Sequence, residues 1–243
     1  MRSAHKSHVR SAAWASWVGS ALEYYDFFLY GIAAVLFLEP LYFPPHATQH
    51  GLIVAISTVG VGYLSRPLGA VFLGSIGDLY GRRLVLSITL ILMGLSTFLI
   101  GLLPGYQEIG LAAPILLISL RLLQGFAVGA EHASANALVL ELSSETRRGL
   151  FTSLSLSGTQ VGLILASTVF FPLSAFMPEA ALKSWGWRIP FLLSAALTGL
   201  GIWIRLRLPE SPAFLSQHGG DGNRHSPLTT LLSQYKANSI SNS

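Results

Sequence analysis

The chain turns at Gly74-Ser75-Ile76-Gly77-Asp78-Leu79-Tyr80-Gly81-Arg82-Arg83, a polar stretch between two long apolar runs, Gly51–Leu73 and Leu84–Leu103. Three glycines, one acid and two arginines stand where one membrane helix would give way to the next. Glycine permits a positive φ, and arginine anchors helix ends at lipid headgroups. The residues by themselves therefore predict a tight polar loop between two helices.

The composition indicates an integral membrane protein. The 243 residues are 51% hydrophobic and only 11% charged, with a mean hydropathy of +0.56. Soluble domains carry about 25% charged residues, so this chain cannot cover a surface that faces water. The absence of cysteine from the sequence excludes a disulfide framework and thiolate metal ligands. The net charge of +4 indicates membrane topology rather than nucleic-acid binding, because the basic residues lie in the predicted connections.

Six apolar segments are long enough to span a bilayer, which takes about 20 residues. They are Ala12–Phe37, Gly51–Leu73, Leu84–Leu103, Ala112–Leu140, Leu150–Phe176 and Ile189–Leu208. Backbone groups in lipid must bond internally, and the segments lack the alternation of barrel strands. We therefore predict an all-α bundle of six transmembrane helices over residues 12–208. Residues 1–11 are expected to form a cytoplasmic tail, and residues 209–243 a cytoplasmic linker and tail, partly disordered.

The first segment also has features of a signal peptide, since a basic N-terminal stretch precedes an apolar run. It is too long for one, it contains Glu23 and Asp26, and no cleavage pattern follows it. We expect it to be an uncleaved transmembrane helix.

Basic residues predict the orientation. Eleven lie in the N-terminal tail, the second and fourth connections and the segment from Arg205 onward, against two on the other side, Lys183 and Arg188. Cytoplasmic loops carry the excess of lysine and arginine, so both termini are expected to be cytoplasmic.

Several motifs together resemble a known transporter family. Gly74, Asp78, Gly81, Arg82 and Arg83 match the loop signature G-x-x-x-D-R-x-G-R-R of the major facilitator superfamily, and Leu79 departs from it. Further matching stretches are GSALEYYDFFLYG at 19–31, SRPLG at 65–69, RLLQGFAVGAE at 121–131 and SWGWRIPF at 184–191. In order and spacing the set resembles the metabolite:proton symporters of that superfamily, which include transporters for shikimate, 2-oxoglutarate, citrate and proline/betaine.

The resemblance implies a function and an architecture. Members have twelve helices in two six-helix halves, so this chain would be the N-terminal half of that fold. It implies proton-coupled symport of a small organic acid or zwitterion by alternating access, in a bacterial inner membrane, with no cofactor. The expected partners are the metabolite, protons, the lipid bilayer and a second six-helix half, and no nucleic acid. The alternative is a truncated or split-gene half that is inactive alone. An enzyme is not expected, since the sequence offers no paired nucleophile and base and no metal set.

Five charged residues fall within the predicted spans: Glu23, Asp26, Arg66, Arg121 and Glu131. Each costs about 2.5–3.5 kcal/mol or more at membrane depth, so each needs a function or a partner. Glu23 and Asp26 are three residues apart and share a helix face, which makes them candidates for proton coupling or gating, together with Glu131. The alternative is a pair neutralised by a neighbouring arginine, which only locks helices together.

Arg121 and Glu131 are ten residues apart, about 15 Å along a helix, and cannot bond each other. The resemblance implies that Arg121 faces the central cavity, where it and Arg66 would bind substrate. The alternatives are an interhelical salt bridge for Arg121 and, for Arg66, bonds to backbone carbonyls freed beside Pro67. The signature residues Gly74, Asp78, Gly81, Arg82 and Arg83 would form a cytoplasmic gate. Helix glycines such as Gly60 and Gly125 are expected to allow close helix packing. No metal site is expected, because His132 beside Glu131 lacks further ligands.

Overall fold

The structure, a computed structural model, describes residues 2–43, 51–142 and 148–207. Every regular element in these residues is helical, and nine α-helices follow one another along the described chain. They are α1 (Arg2–Ala33), α2 (Glu39–Tyr42), α3 (Gly51–Tyr80), α4 (Arg82–Leu102), α5 (Tyr106–Ile109), α6 (Ala112–Leu142), α7 (Arg148–Phe176), α8 (Glu179–Ala181) and α9 (Arg188–Arg205). The predicted all-α fold is confirmed; the predicted tail 209–243 lies outside the described residues.

The six predicted spans correspond to six helical paths. Five are long and apolar enough to cross a membrane: the continuous path through α1 and α2, and the helices α3, α4, α6 and α7. The α1–α2 path passes through a π-helical turn at Ala34–Leu38. The sixth path is bent by 46° between Glu179–Gly186 and Arg188–Arg205. The first helix begins at Arg2, well before the predicted Ala12, so the helix includes the segment predicted as a tail.

The polar stretch 74–83 is helical, so its prediction as a loop is wrong. Helix α3 continues through the stretch to Tyr80, and α4 begins at Arg82. The whole change of direction falls on Gly81, whose φ of 102° is open to glycine and costly for other residues. The Gly81 N–H still donates to the Gly77 carbonyl at 3.0 Å, which closes the last turn of α3. Continuing the helix satisfies backbone groups that an open loop would leave to water.

The helices pack in neighbouring pairs: α3 lies along α6, α1 along α7, and α4 against both α6 and α9. A side chain at Gly125 of α6 would collide with the backbone carbonyl of Gly62 on α3, so these two helices approach closely at that point. The glycine prediction is confirmed for Gly125. It is wrong for Gly60, which has open space around it. The close α3–α6 contact brings the arginine of each helix to the same region of the bundle.

Candidate functional site

A cavity open to the outside lies among α1, α3, α4 and α6; its empty space of about 350 Å³ includes open solvent at its mouth. Its lining holds four of the five charged residues singled out from the sequence: Glu23 and Asp26 from α1, Arg66 from α3, and Arg121 from α6. The remaining lining residues are Phe27, Val59, Gly62, Tyr63, Met93, Gln124, Gly125 and Val128. Two carboxyl side chains and two arginine side chains thus line one cavity, and Glu131 is absent from its lining.

Arg121 is held in place by neutral groups. Its Nη1 donates to Gln124 Oε1 at 2.9 Å, and its Nε and Nη2 reach the carbonyls of Thr58 and Val59, each at 3.4 Å. Its guanidinium carbon lies 3.8 Å from the ring centroid of Tyr30. In the part of the chain that the structure describes, no carboxylate oxygen comes within 4 Å of this guanidinium. The arginine is therefore fixed without a salt bridge.

Hydrogen bonds around Arg121 link four helices in two pairs, α6 with α4 and α1 with α3. Gln124 Nε2 donates to Thr97 Oγ1 at 2.7 Å, and the Thr97 hydroxyl donates to the Met93 carbonyl at 3.1 Å. On the other side, the hydroxyls of Tyr30 and Thr58 lie 2.6 Å apart. The sequence analysis missed these residues, although Gln124 stands inside the quoted RLLQG motif.

Glu23 and Asp26 are both buried on the same face of α1. The charges that act on Glu23 come from Glu131, Arg66, Arg205 and Asp26, whereas Asp26 lies near Thr97 and Arg121. The two acids thus have partly different neighbours: Arg66 and then Arg205 act on Glu23, Arg121 acts on Asp26, and Glu131 acts on both. Neither the proton-coupling role nor the purely structural role is tested by this geometry, and both remain predictions.

Arg66 is half-buried and stacks on Tyr63, with its guanidinium carbon 4.1 Å from the ring centroid. Its Nε is buried and has no hydrogen-bond acceptor among the described residues. Helix α3 runs on through Pro67, and among the described residues Arg66 makes no hydrogen bond to a backbone carbonyl. The alternative of bonds to freed carbonyls is therefore not seen within the described residues, and Arg66 lines the cavity with an Nε that has no acceptor there.

Glu131 pairs with Arg205, which the sequence analysis assigned to the cytoplasmic segment that follows the sixth helix. Its Oε1 accepts from Arg205 of α9, and its Oε2 accepts from the Thr89 hydroxyl at 3.3 Å. Arg205 also donates to the Leu86 carbonyl, and both charged residues are only 2% exposed. A side chain at Gly19 of α1 would collide with both of them. We call Glu131, Arg205, Thr89 and Gly19 the buried ion-pair cluster.

The cluster includes one of the residues used to predict the orientation. Arg205, counted among the basic residues of the cytoplasmic side, is buried and paired with Glu131, and the predicted orientation stays a prediction. Glu131 and Arg121 do not pair with each other, in agreement with their separation along α6. The gating or proton role of Glu131 remains a prediction.

Metal ligands are sparse in the structure. Within the described residues, no group of three or more His, Cys, Asp and Glu side chains could hold a metal ion. The side-chain surroundings of His132 lie outside the described set.

Comparison with known proteins identifies the family. A family model described as sugar (and other) transporter matches residues 12–230. The chain belongs to this transporter family of the major facilitator superfamily. Its relatives are transporters rather than enzymes, as the motifs predicted.

Curated relatives of the family are about twice as long as this chain. The shikimate transporter of Escherichia coli K12 is 41% identical over 211 residues, which are 87% of this chain and 48% of the relative. A glycine betaine/proline/ectoine/pipecolic acid transporter of Dickeya dadantii is 40% identical over 225 residues, which are 90% of this chain and 45% of the relative. The chain therefore spans about half the length of the curated relatives that it matches.

Solved structures of the superfamily share the fold. The proton:xylose symporter XylE bound to 6-bromo-6-deoxy-D-glucose superposes with a TM-score of 0.75 at 19% identity, over 88% of this chain and 48% of that one. The inward-open form of the xylose transporter from Escherichia coli gives a TM-score of 0.72, and the match covers 96% of this chain and 56% of the transporter. The fold is thus the N-terminal half of a major facilitator protein.

The family's signature residues lie where α3 meets α4. Asp78 and Arg82 form an ion pair at 3.7 Å, both partly exposed, and Arg83 donates to the Leu206 carbonyl at the end of α9. Gly81 forms the turn, and Gly74 has open space around it. The stretch thus connects α3, α4 and α9 at one end of the bundle, and its function as a gate remains a prediction.

Proposed function

We propose that this chain is the N-terminal half of a proton-coupled symporter that carries a small organic acid or zwitterion by alternating access. The observation that carries the proposal is the cavity in which Arg121, fixed by neutral groups, shares the lining with Glu23 and Asp26. A fixed guanidinium binds a carboxylate of the substrate, and carboxyl groups at membrane depth are candidate proton carriers.

The names of the relatives support this substrate range. Shikimate is an organic acid, and proline and betaine are zwitterions. All three molecules present a carboxylate, which matches Arg121 and the free donor of Arg66. The neighbouring acids Glu23 and Asp26 would take up and release the proton, and Glu131 would act in gating through its pair with Arg205.

A second six-helix half is the proposed partner. Alternating access requires two halves that rock around a site at the membrane midplane. Helices α3 and α7 are the least buried spans, with 22% and 17% of their apolar windows buried against 61% for the first helix. Their exposed apolar faces are where we place the second half. The alternative is a half that is inactive alone. It is supported by the fact that the chain spans about half the length of its curated relatives.

Transport by the completed protein tests the proposal. We expect the chain joined to the second half of the shikimate transporter to accumulate shikimate, proline or glycine betaine in vesicles when a pH gradient is imposed. Arg121→Gln should lower this uptake by about tenfold or more, since a charge-assisted bond is worth about 1.5–3 kcal/mol.

The 243-residue chain alone, measured in parallel, distinguishes the two hypotheses. Uptake by the completed protein with none by the chain alone favours the half that is inactive by itself. No gradient-driven uptake of any probe by the completed protein, at normal protein levels, would refute the proposed symport.

We propose a bacterial inner-membrane location with both termini cytoplasmic, based on the charge asymmetry. Lys183 and Arg188 then lie on the outer side, where Arg188 donates to the Gly101 and Leu103 carbonyls at the end of α4. A cysteine in place of Lys183 should react with an impermeant maleimide in intact cells, and one in place of Tyr80 should react only after lysis. The cysteine-free sequence makes each label unambiguous. The opposite labelling pattern would reverse the orientation.

A further inference from the structure

Gln124 is the one uncharged polar side chain that touches both Arg121 and a neighbouring helix within the described part of the cavity wall. It is only 4% exposed, as is Arg121. Its amide oxygen accepts from Arg121, and its amide nitrogen donates to Thr97 of α4. A guanidinium can only donate, so the amide orientation is fixed by Arg121 itself.

Thr97 completes this orientation. Its hydroxyl donates to the Met93 carbonyl, and its oxygen accepts from Gln124. The Asp26 carboxyl lies beside the same hydroxyl. The chain of donors therefore runs in one direction, from Arg121 to Gln124 to Thr97 to the α4 backbone. A glutamine amide fits this position because it accepts at one atom and donates at the other without carrying a charge.

The absence of charge on this support has a functional consequence. The bonded acceptors of Arg121 in the described structure are the Gln124 amide, two backbone carbonyls and the Tyr30 ring, all neutral. A carboxylate in the place of Gln124 would hold the arginine equally well, but it would neutralise the arginine and compete with an incoming anion. Asp26 and Arg66 are the other charged groups that act on Arg121, one of each sign.

We propose that Gln124, anchored by Thr97, is a positioning residue that holds Arg121 through a neutral oxygen and so keeps its charge available to an anionic group of the substrate. This inference rests on the proposed role of Arg121 in binding. It adds that the glutamine sets the preference for a carboxylate, and that Thr97 supports the glutamine as well as lying beside Asp26.

Equilibrium binding to the purified 243-residue chain tests the inference, with shikimate, proline and glycine betaine as probes. Gln124→Glu keeps the shape of the side chain and adds a negative charge. It should weaken binding of the shikimate anion by about tenfold or more. The affinity for the uncharged methyl ester of shikimate should fall less in this variant than the affinity for the shikimate anion does. Gln107→Glu makes the same chemical change at an exposed position of α5 and should leave the affinity unchanged.

Two variants of Thr97 separate positioning from space filling. Thr97→Val keeps the volume but removes the acceptor of Gln124, and it should weaken binding by about fivefold. Thr97→Ser keeps the hydroxyl and should retain the wild-type affinity. A residue that only fills space would show the reverse order, since valine preserves the packing that serine loses. The reverse order would overturn the role of Thr97.

The outcomes distinguish this inference from the proposed transport. Wild-type affinity in Gln124→Glu, or no binding of any probe by the wild-type chain, would overturn the inference. If binding responds to these variants as expected, the inference is supported. A lack of gradient-driven uptake by the completed protein would then refute only the proposed symport.

Discussion

Replacing Arg205 by methionine is expected to destabilise the bundle by about 3–5 kcal/mol, the usual cost of leaving a buried charge without its partner. Arg205 and Glu131 are each 2% exposed, and Glu131 keeps only the Thr89 hydroxyl when the arginine is removed. The Leu86 carbonyl also loses a donor. Helices α4, α6 and α9 meet at this cluster, so the loss should lower both the melting temperature in detergent and the amount of folded protein in the membrane.

The same substitution at Arg207 is the matched control. Arg207 lies two residues further along, is exposed, and stacks over the Trp203 ring with its guanidinium carbon 3.7 Å from the centroid. Arg207→Met should change stability by less than about 1 kcal/mol, as expected for a surface charge. A melting temperature for Arg205→Met equal to that of Arg207→Met would mean that the buried pair does not stabilise the bundle.

A double variant distinguishes an unpaired charge from lost packing. Arg205→Met combined with Glu131→Leu removes both charges, and replacing a buried pair by apolar residues is often neutral or stabilising. The double variant should therefore be more stable than Arg205→Met alone. If Glu131 acts in gating, the double variant in the completed transporter should fold well and yet transport poorly.

The sequence predicted the helices well because a bilayer leaves few alternatives. Each apolar run had to become a helix, and runs such as Leu84–Leu103 end within two residues of the observed α4. The error at 74–83 has a physical cause. Polar and glycine-rich composition predicts exposure to water, but it does not break helical bonds, and a single positive φ at Gly81 was sufficient for the turn.

Charged residues at membrane depth were found in the sequence, but their partners were not. The free-energy cost of a charge at membrane depth was enough to show which residues need a function or a partner: Glu23, Asp26, Arg66, Arg121 and Glu131. The partner of Glu131 comes from a helix that lies 74 residues away, at a position where an arginine is ordinary for a helix end. The support of Arg121 uses neutral groups from α1, α3 and α4, and polar uncharged residues give no comparable signal in a sequence.

Neutralising Asp26 is expected to abolish proton-driven accumulation, the largest functional effect that we predict. Asp26 lies near Arg121 and Thr97, whereas Glu23 lies near Glu131, Arg66 and Arg205. If Arg121 binds the substrate carboxylate as proposed, a proton carrier beside it senses that carboxylate directly, whereas Glu23 also lies in the field of the Glu131–Arg205 pair, which does not depend on substrate. We therefore expect Asp26→Asn to uncouple transport more completely than Glu23→Gln.

Three measurements on the completed transporter decide this prediction: protein level, accumulation under a pH gradient, and exchange of substrate across the membrane. For a carrier, Asp26→Asn should lose accumulation and keep exchange, because exchange needs no net proton movement. A purely structural acid predicts a different result, since its loss would leave a nearby arginine unbalanced and lower the amount of folded protein. Glu108→Gln, at an exposed position of α5, is the control for the chemical change and should behave as wild type. Normal accumulation in both Asp26→Asn and Glu23→Gln would exclude these acids as carriers.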